Sequence, residues 1–307
     1  MPEKNPNTCY LFTLIRSLLR PVKTGEVKVF MKEVISVVNL KGGVGKTTTA
    51  VNLAACWCEQ GKKVLLVDLD PQGSASISVG VINEGQELLD ALQGIIALPV
   101  VQTGVPGLDL VPSGPDLVAA RQIFVDGPGD EIFTSCLRQT RGDWDCVIID
   151  CPPSLDVLTM SALMACQHVI VPVEASFLGL NGVKQMASAI KSIKSRKPDL
   201  DIQAIVPCRA HPRRRIHWEI MDKLKEMFPG KVSPIINENV SLAEAPGRGK
   251  PVIFTARISR GSDDYRLLSL WLTDQLGLEE TEDMQLSGET ELSRDNYIQP
   301  FEQVSTI

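Results

Sequence analysis

The chain has 307 residues, 44% of them hydrophobic, enough to bury a substantial core as one large α/β domain or two small ones. No apolar run reaches the roughly 18 residues that a membrane span needs, and no pair of its eight cysteines has C-x-x-C spacing, which argues for a reducing cytoplasm rather than a disulfide scaffold or metal knuckle. The net charge of −6 is uneven: residues 277–307 carry eight acids against Arg294 alone, while the rest of the chain holds 30 basic and 29 acidic side chains.

In chain order, residues 1–30 form an extension ahead of the first clear strand. CYLFTLIRSLL (Cys9–Leu19) is apolar enough to imitate a signal peptide, but Arg16 interrupts it and no small-residue cleavage site follows. Met31 immediately precedes the strand, so the extension is expected to be an appended helix or the product of an upstream start codon. EVISVVN (Glu33–Asn39) reads as a buried strand, followed by a glycine-rich loop and the helix TTTAVNLAACWCEQ. Five more strands are expected: KVLLVDLD (Lys63–Asp70), LDLVPSG (Leu108–Gly114), CVIIDCPP (Cys146–Pro153), HVIVPVE (His168–Glu174) and IQAIVP (Ile202–Pro207). Helical patterns intervene, among them LGLNGVKQMASAIKSIKS and IHWEIMDKLKEMF, and a helix over Asp263–Leu276 closes the body. Near-continuous apolar strands separated by helices predict a doubly wound, mainly parallel sheet covered on both faces. Ligands of such sheets bind at the carboxyl ends of the strands. The expected organisation is therefore an extension (1–30), one α/β ATPase-like body (31–276) and an acidic tail (277–307) of a composition that stays solvated.

Three signals stand at strand ends. KGGVGKTT (Lys41–Thr48) has glycines at 42, 43 and 45, which let backbone N–H groups close around phosphate oxygens, with a helix N-terminus behind them. Lys46 would neutralise the β- and γ-phosphates, and the Thr47 hydroxyl would ligate Mg²⁺. The loop departs from G-x-x-x-x-G-K-[ST], because Leu40 holds the first glycine's place and a second lysine, Lys41, stands beside it with no local carboxylate to pair it. DLDPQGS places Asp68 and Asp70 two residues apart, so alternation should point both carboxylates to one side of the strand end. One can hold the metal's water shell and the other the attacking water. VIIDCPPS ends a strand at Asp150, where a second Mg²⁺ carboxylate stands in phosphate-loop enzymes.

KGGVGKTTTAVNLA, VLLVDLDPQGSAS, LVPSGPDL, WDCVIIDCPPSLDVLTMSAL and NVSLAEAPGRGKPVI together resemble the ParA/Soj partition ATPases, within the MinD-like deviant Walker A group. The resemblance runs from about Met31 to Leu276. It implies a P-loop fold, ATP and Mg²⁺ as cofactors, and slow ATP hydrolysis stimulated by a ParB-like or adaptor protein. It makes Lys41 a signature residue that reaches across an ATP-sandwich homodimer to the partner's phosphates, as an arginine finger does in trans. ATP contacts would come from Lys41, Gly42, Gly43, Val44, Gly45, Lys46, Thr47, Thr48, Asn237 and Asn239. Asp70 would position the hydrolytic water, completing a catalytic set with Lys41 and Lys46. Thr47, Asp68 and Asp150 would act around Mg²⁺. Nucleotide-dependent, sequence-independent DNA binding would use a basic surface, for which Arg213, Arg214, Arg215, Arg248, Lys250, Arg257 and Arg260 are the candidates. Ser241 stands where the family commonly carries arginine, so weaker DNA binding is expected. Two alternatives stay open. One is a MinD-like membrane ATPase, which the acidic tail argues against but for which Leu11–Leu19 could serve as anchor. The other is a nucleotide-gated scaffold with little hydrolysis. An iron–sulfur relative would need paired interface cysteines, and a tyrosine-kinase relative a terminal tyrosine cluster. The cargo, whether DNA or a protein assembly, is not written in the chain.

Overall fold

The computed structural model describes residues 30–124, 131–211 and 214–278. The extension up to residue 29, the tail from residue 279, and Arg213 lie outside the described residues, as do the anchor-like segment Leu11–Leu19 and Cys9.

Seven strands form one sheet: β1 (Phe30–Val37), β2 (Val64–Asp68), β3 (Val101–Gln102), β4 (Leu108–Val111), β5 (Asp143–Asp150), β6 (His168–Glu174) and β7 (Asp201–Cys208). Their order is β3-β4-β2-β5-β1-β6-β7, and every pairing is parallel except β3 with β4. The helices are α1 (Lys46–Glu59), α2 (Ser74–Ser78), α3 (Gln86–Leu92), α4 (Ala120–Ile123), α5 (Ile132–Gln139), α6 (Val157–Ala165), α7 (Phe177–Ile193), α8 (Arg215–Met227), α9 (Val240–Glu244), α10 (Val252–Thr255) and α11 (Arg260–Leu276). Short 3₁₀ turns span Pro115–Ala119 and Ala245–Arg248.

The expected doubly wound sheet is present. Successive residues of a strand point to opposite faces, so each central strand feeds two cores. Leu65, Val67, Val147 and Ile149 pack with α3, α6 and α7 on one side; Val64, Leu66, Cys146 and Ile148 pack with α1 and α11 on the other. Both faces are thereby sealed, and the N–H and C=O groups of the inner strands are paired along the ladders. Trp57 on α1 is fully buried and its indole N–H donates to Thr273 Oγ1 on α11 at 3.0 Å. Asn52 on α1 donates to Thr48 O and accepts from Val252 N, both at 2.8 Å, tying α10 to the same helix. The extra strand, β3, is a two-residue antiparallel edge; two residues are too few to show a period of two. The seven described cysteines are unpaired thiols, and five of them are buried, as packing residues should be.

Register brings the site together. Asp150 on β5 stands opposite Val37 of β1 on one side and Asp68 of β2 on the other. The loop leaving β1 and the acids ending β2 and β5 therefore meet at one carboxyl edge of the sheet.

Candidate active site

Residues 38–45 connect β1 to α1. Gly45, at the N-terminal cap of α1, has φ of 98°, and Gly43 has φ of 73°; both lie in the left-handed region that glycine enters without a Cβ penalty. A Cβ on Gly45 would also come within 3.6 Å of Cys208 Sγ, which floors the loop from the end of β7. The first N–H groups of α1 receive no side-chain cap among the described residues and open toward the loop. Leu40, at the missing glycine, packs partly buried against the core on one face of the sheet and pins the loop's first turn. Lys46 is only 7% exposed, and its Nζ donates across the loop to Lys41 O at 3.3 Å. Burial pushes the Lys46 ammonium below its usual pKa, while Asp150 and Asp70 pull it back up.

Asp150 is fully buried. Its Oδ2 accepts from the Thr47 hydroxyl at 2.7 Å, and its Oδ1 has no partner among the described residues. Burial, and then the neighbouring Asp68, push this carboxyl well above the usual carboxylate range against the pull of Thr47 and Lys46. A buried carboxylate oxygen with no donor is what a cation would satisfy. Thr47 and Asp150 thus fit a divalent metal.

Asp68 and Asp70 do not share one side as alternation predicts. β2 ends at Asp68, and the chain turns: Asp68 Oδ1 accepts from Asp70 N at 3.1 Å, and its Oδ2 accepts from Ser76 N and Ser76 Oγ, both at 2.8 Å. Asp68 is wholly buried beneath the loop it holds, and burial pushes it up to about 6 against the pull of the Ser76 bonds. Asp70 reaches the cavity, its Oδ1 accepting from Gln72 N at 3.0 Å. The period of two fails because an extended strand is no longer there. Ser76, which also accepts from Ser113 N at 3.1 Å, links the DLDPQGS turn to LVPSG, and the sequence reading missed it.

Lys41 corrects a second expectation. It does have a carboxylate partner: Nζ lies 2.5 Å from Glu174 Oε2, with the two side chains 38% and 39% exposed. The lysine's hydrogen bond holds Glu174 below the usual carboxylate range. Glu174 ends β6 as Asp150 ends β5, and Asn39, whose Oδ1 accepts from Lys41 N and whose Nδ2 donates to Pro172 O, fixes the loop to that strand. An acid ending a strand beside β1 was the available signal.

The edge encloses a cavity of about 780 Å³. One end is the loop (Gly42 to Thr48) with Asp70; the other is walled by Cys208, Arg209, Ile236, Val240, Leu242 and Pro246. Asn237 and Asn239 both line it. Asn239 Oδ1 caps α9 by accepting from Ser241 N at 2.8 Å, so that oxygen is committed to the fold.

The basic candidates form two groups. Arg214 and Arg215 begin α8, which packs on α7; Arg248, Lys250, Arg257 and Arg260 follow α9, on segments that pack against α1, α2 and α11. Arg215 pairs with Glu219 at 3.1 Å, Arg248 with Glu244 at 3.5 Å and Arg257 with Glu59 at 3.5 Å. Exposed pairs of this kind are weak and leave the charge available to a phosphate. No helix among the described residues is long and apolar enough to cross a membrane.

A family model described as an AAA domain matches residues 32–202. The chain is 36% identical over 244 residues to the sporulation initiation inhibitor protein Soj of Bacillus subtilis, covering 76% of this chain and 96% of that protein. It is 39% identical over 239 residues to the chromosome-partitioning ATPase Soj of Thermus thermophilus, covering 76% and 93%. Among solved structures, cobyrinic acid a,c-diamide synthase of Mycobacterium smegmatis with bound ADP and magnesium superposes with a TM-score of 0.69 at 30% identity, over 82% of this chain and 98% of that one.

Proposed function

This chain belongs to the ParA/Soj family of partition and positioning ATPases, and on that premise we propose that it binds ATP with Mg²⁺, closes into an ATP-sandwich homodimer, binds DNA without sequence preference in that state, and resets by slow, partner-stimulated hydrolysis. The observation that carries the reading is the cluster of Lys46, Thr47 and Asp150, with its partnerless buried carboxylate oxygen beneath a glycine loop.

The phosphates sit in the loop from Lys41 to Thr48, where backbone N–H groups and the start of α1 face them and Lys46 offsets their charge. Thr47 and Asp150 hold Mg²⁺, which supplies charge neutralisation at the β- and γ-phosphate oxygens. Asp70, facing the cavity, orients the attacking water, and Asp68 acts through Asp70 by fixing the turn that carries it. The base occupies the apolar end near Asn237 and Asn239. Lys41 leaves Glu174 to reach the partner's phosphates, so a cation from each subunit offsets the repulsion between two stacked nucleotides. Apolar side chains around the mouth support a second copy covering it: Phe177 is 55% exposed and Leu178 71%, both just beyond the end of β6. The two basic groups supply phosphate contacts for DNA, doubled in a dimer. The cargo is DNA or a protein assembly that an adaptor couples to the dimer.

The test is molecular mass by light scattering with ATP and Mg²⁺. Wild type should shift from monomer to dimer, and Lys41→Ala should bind ATP yet stay monomeric. A Lys41→Ala protein that dimerises as well as wild type would remove the trans role.

A further inference from the structure

Asn237 is 5% exposed, lines the base end of the cavity, and is pinned from two directions. Its backbone extends the edge of β7: Ile236 N donates to Pro207 O at 2.8 Å, and Ala210 and Asn237 form an isolated parallel bridge. Its other support comes from α11, where Asp264 Oδ2 accepts from Asn237 N at 2.7 Å and from Asn237 Nδ2 at 2.9 Å. The remaining amide atom, Oδ1, is buried and has no partner among the described residues.

A carboxamide has a donor end and an acceptor end, and an unaided side chain can present either. Here Asp264 removes the choice. Flipping the amide would set Oδ1 against a carboxylate oxygen and forfeit a charge-assisted hydrogen bond. The acceptor end is therefore fixed away from Asp264. On the nucleotide reading above, the partner that fits a fixed acceptor at the base end is a donor on the purine ring. The 6-amino group of adenine is such a donor; the 6-keto group of guanine or hypoxanthine is an acceptor and meets Oδ1 lone pair to lone pair. We infer that Asp264 is the positioning residue that makes this site select adenine over 6-keto purines, by locking the Asn237 amide in the orientation that accepts from the base.

Burial raises the Asp264 carboxyl, and the two Asn237 bonds oppose that, as expected of a group kept in place for what it orients. Asp264→Asn is nearly isosteric and puts a donor where the lock was. The Asn237 amide can then turn and offer Nδ2 to a keto oxygen.

The experiment is titration calorimetry of the full chain with Mg²⁺ and, separately, ATP, inosine triphosphate and purine riboside triphosphate, which differ only at the 6-position. Wild type should bind ATP about tenfold or more tightly than the inosine analogue, because a site built for a donor leaves its acceptor unpaired or repelled otherwise. Purine riboside triphosphate should fall between them. Asp264→Asn should bring ATP and inosine triphosphate within about threefold, or reverse them, and Asn237→Ala should bind ATP no better than purine riboside triphosphate. Equal binding of ATP and inosine triphosphate by wild type, or an unchanged ratio in Asp264→Asn, would overturn the inference while leaving the nucleotide site standing. Failure of all three to bind wild type would overturn the nucleotide reading and this inference with it.

Discussion

Asp150→Asn should make the nucleotide-free protein more stable while removing its use. The carboxylate is fully buried with one oxygen unpartnered, and Asp68, in register beside it, gauges the cost of charge at this depth. Asp68 is pushed from 3.8 to about 6, and at ~1.4 kcal/mol per unit an ionised carboxylate here costs on the order of 3 kcal/mol. The asparagine keeps an acceptor for the Thr47 hydroxyl and carries no charge. For a body of this size 1 kcal/mol corresponds to about 2–4 °C, so the variant should melt roughly 6–12 °C above wild type at pH 8 in EDTA. The sign with pH follows from the raised pKa. The folded wild type holds protons that the unfolded chain has released, so its stability is greatest below the ordinary carboxylate range and declines as pH rises toward the raised value. The advantage of Asp150→Asn should therefore shrink between pH 8 and pH 5. Adding ATP with Mg²⁺ should reverse the order, because only the carboxylate rewards the metal. Scanning calorimetry at both pH values, with and without ligand, reads all three effects. A variant no more stable than wild type at pH 8, or equally favoured at pH 5, would show that the protein already accommodates this charge and would refute the argument.

Asp70→Ala should retain ATP but lose turnover by about 10²–10⁴-fold, whereas Lys46→Ala should lose ATP binding itself; a phosphate-release assay beside equilibrium dialysis separates them, and undiminished turnover in Asp70→Ala would mean that another group places the water. On DNA, each phosphate contact removed should lower the log–log salt slope by about 0.9. Alanines at Arg214 and Arg215, and separately at Arg248, Lys250, Arg257 and Arg260, should flatten that slope in mobility shifts on two unrelated duplexes, with ATP required; an unchanged slope in both sets would exclude these surfaces. Asn52→Ala should destabilise the fold by about 1–3 kcal/mol, since it leaves the buried Val252 N–H unpaired, and a denaturation midpoint equal to wild type would contradict that.

Local chemistry was readable from the chain and geometry between distant strands was not. The glycine loop, Lys46, Thr47 and Asp150 each stand where an apolar run ends, and strand ends are where a parallel sheet gathers its ligands, so their placement needed no register. Glu174 ends a strand in the same way, but its partnership with Lys41 depends on β6 lying beside β1, 133 residues away in sequence. Asp68 and Asp70 were misjudged for the opposite reason. The period of two was extended past the last strand residue into a turn that Ser76 closes. Asp264 carries no local signal at all, being one of two adjacent acids in the first turn of an ordinary helix, and only the contact with Asn237 distinguishes it.

The strand order has a consequence for biosynthesis. β1 pairs with β5 and β6 and with neither of the strands that come between in sequence, so the glycine loop has no sheet beside it until Asp150 has been made. At about 5–20 residues per second, the interval from Val37 to Asp150 is roughly 6–20 s. Throughout it the ribosome carries ISVVNL and VLLVDL as unpaired apolar segments, each able to pair wrongly with another nascent chain. The long-range closure that makes the site also makes it late, and the chain is therefore expected to depend on holdase chaperones for its first half and to gain nucleotide only after its middle strand emerges.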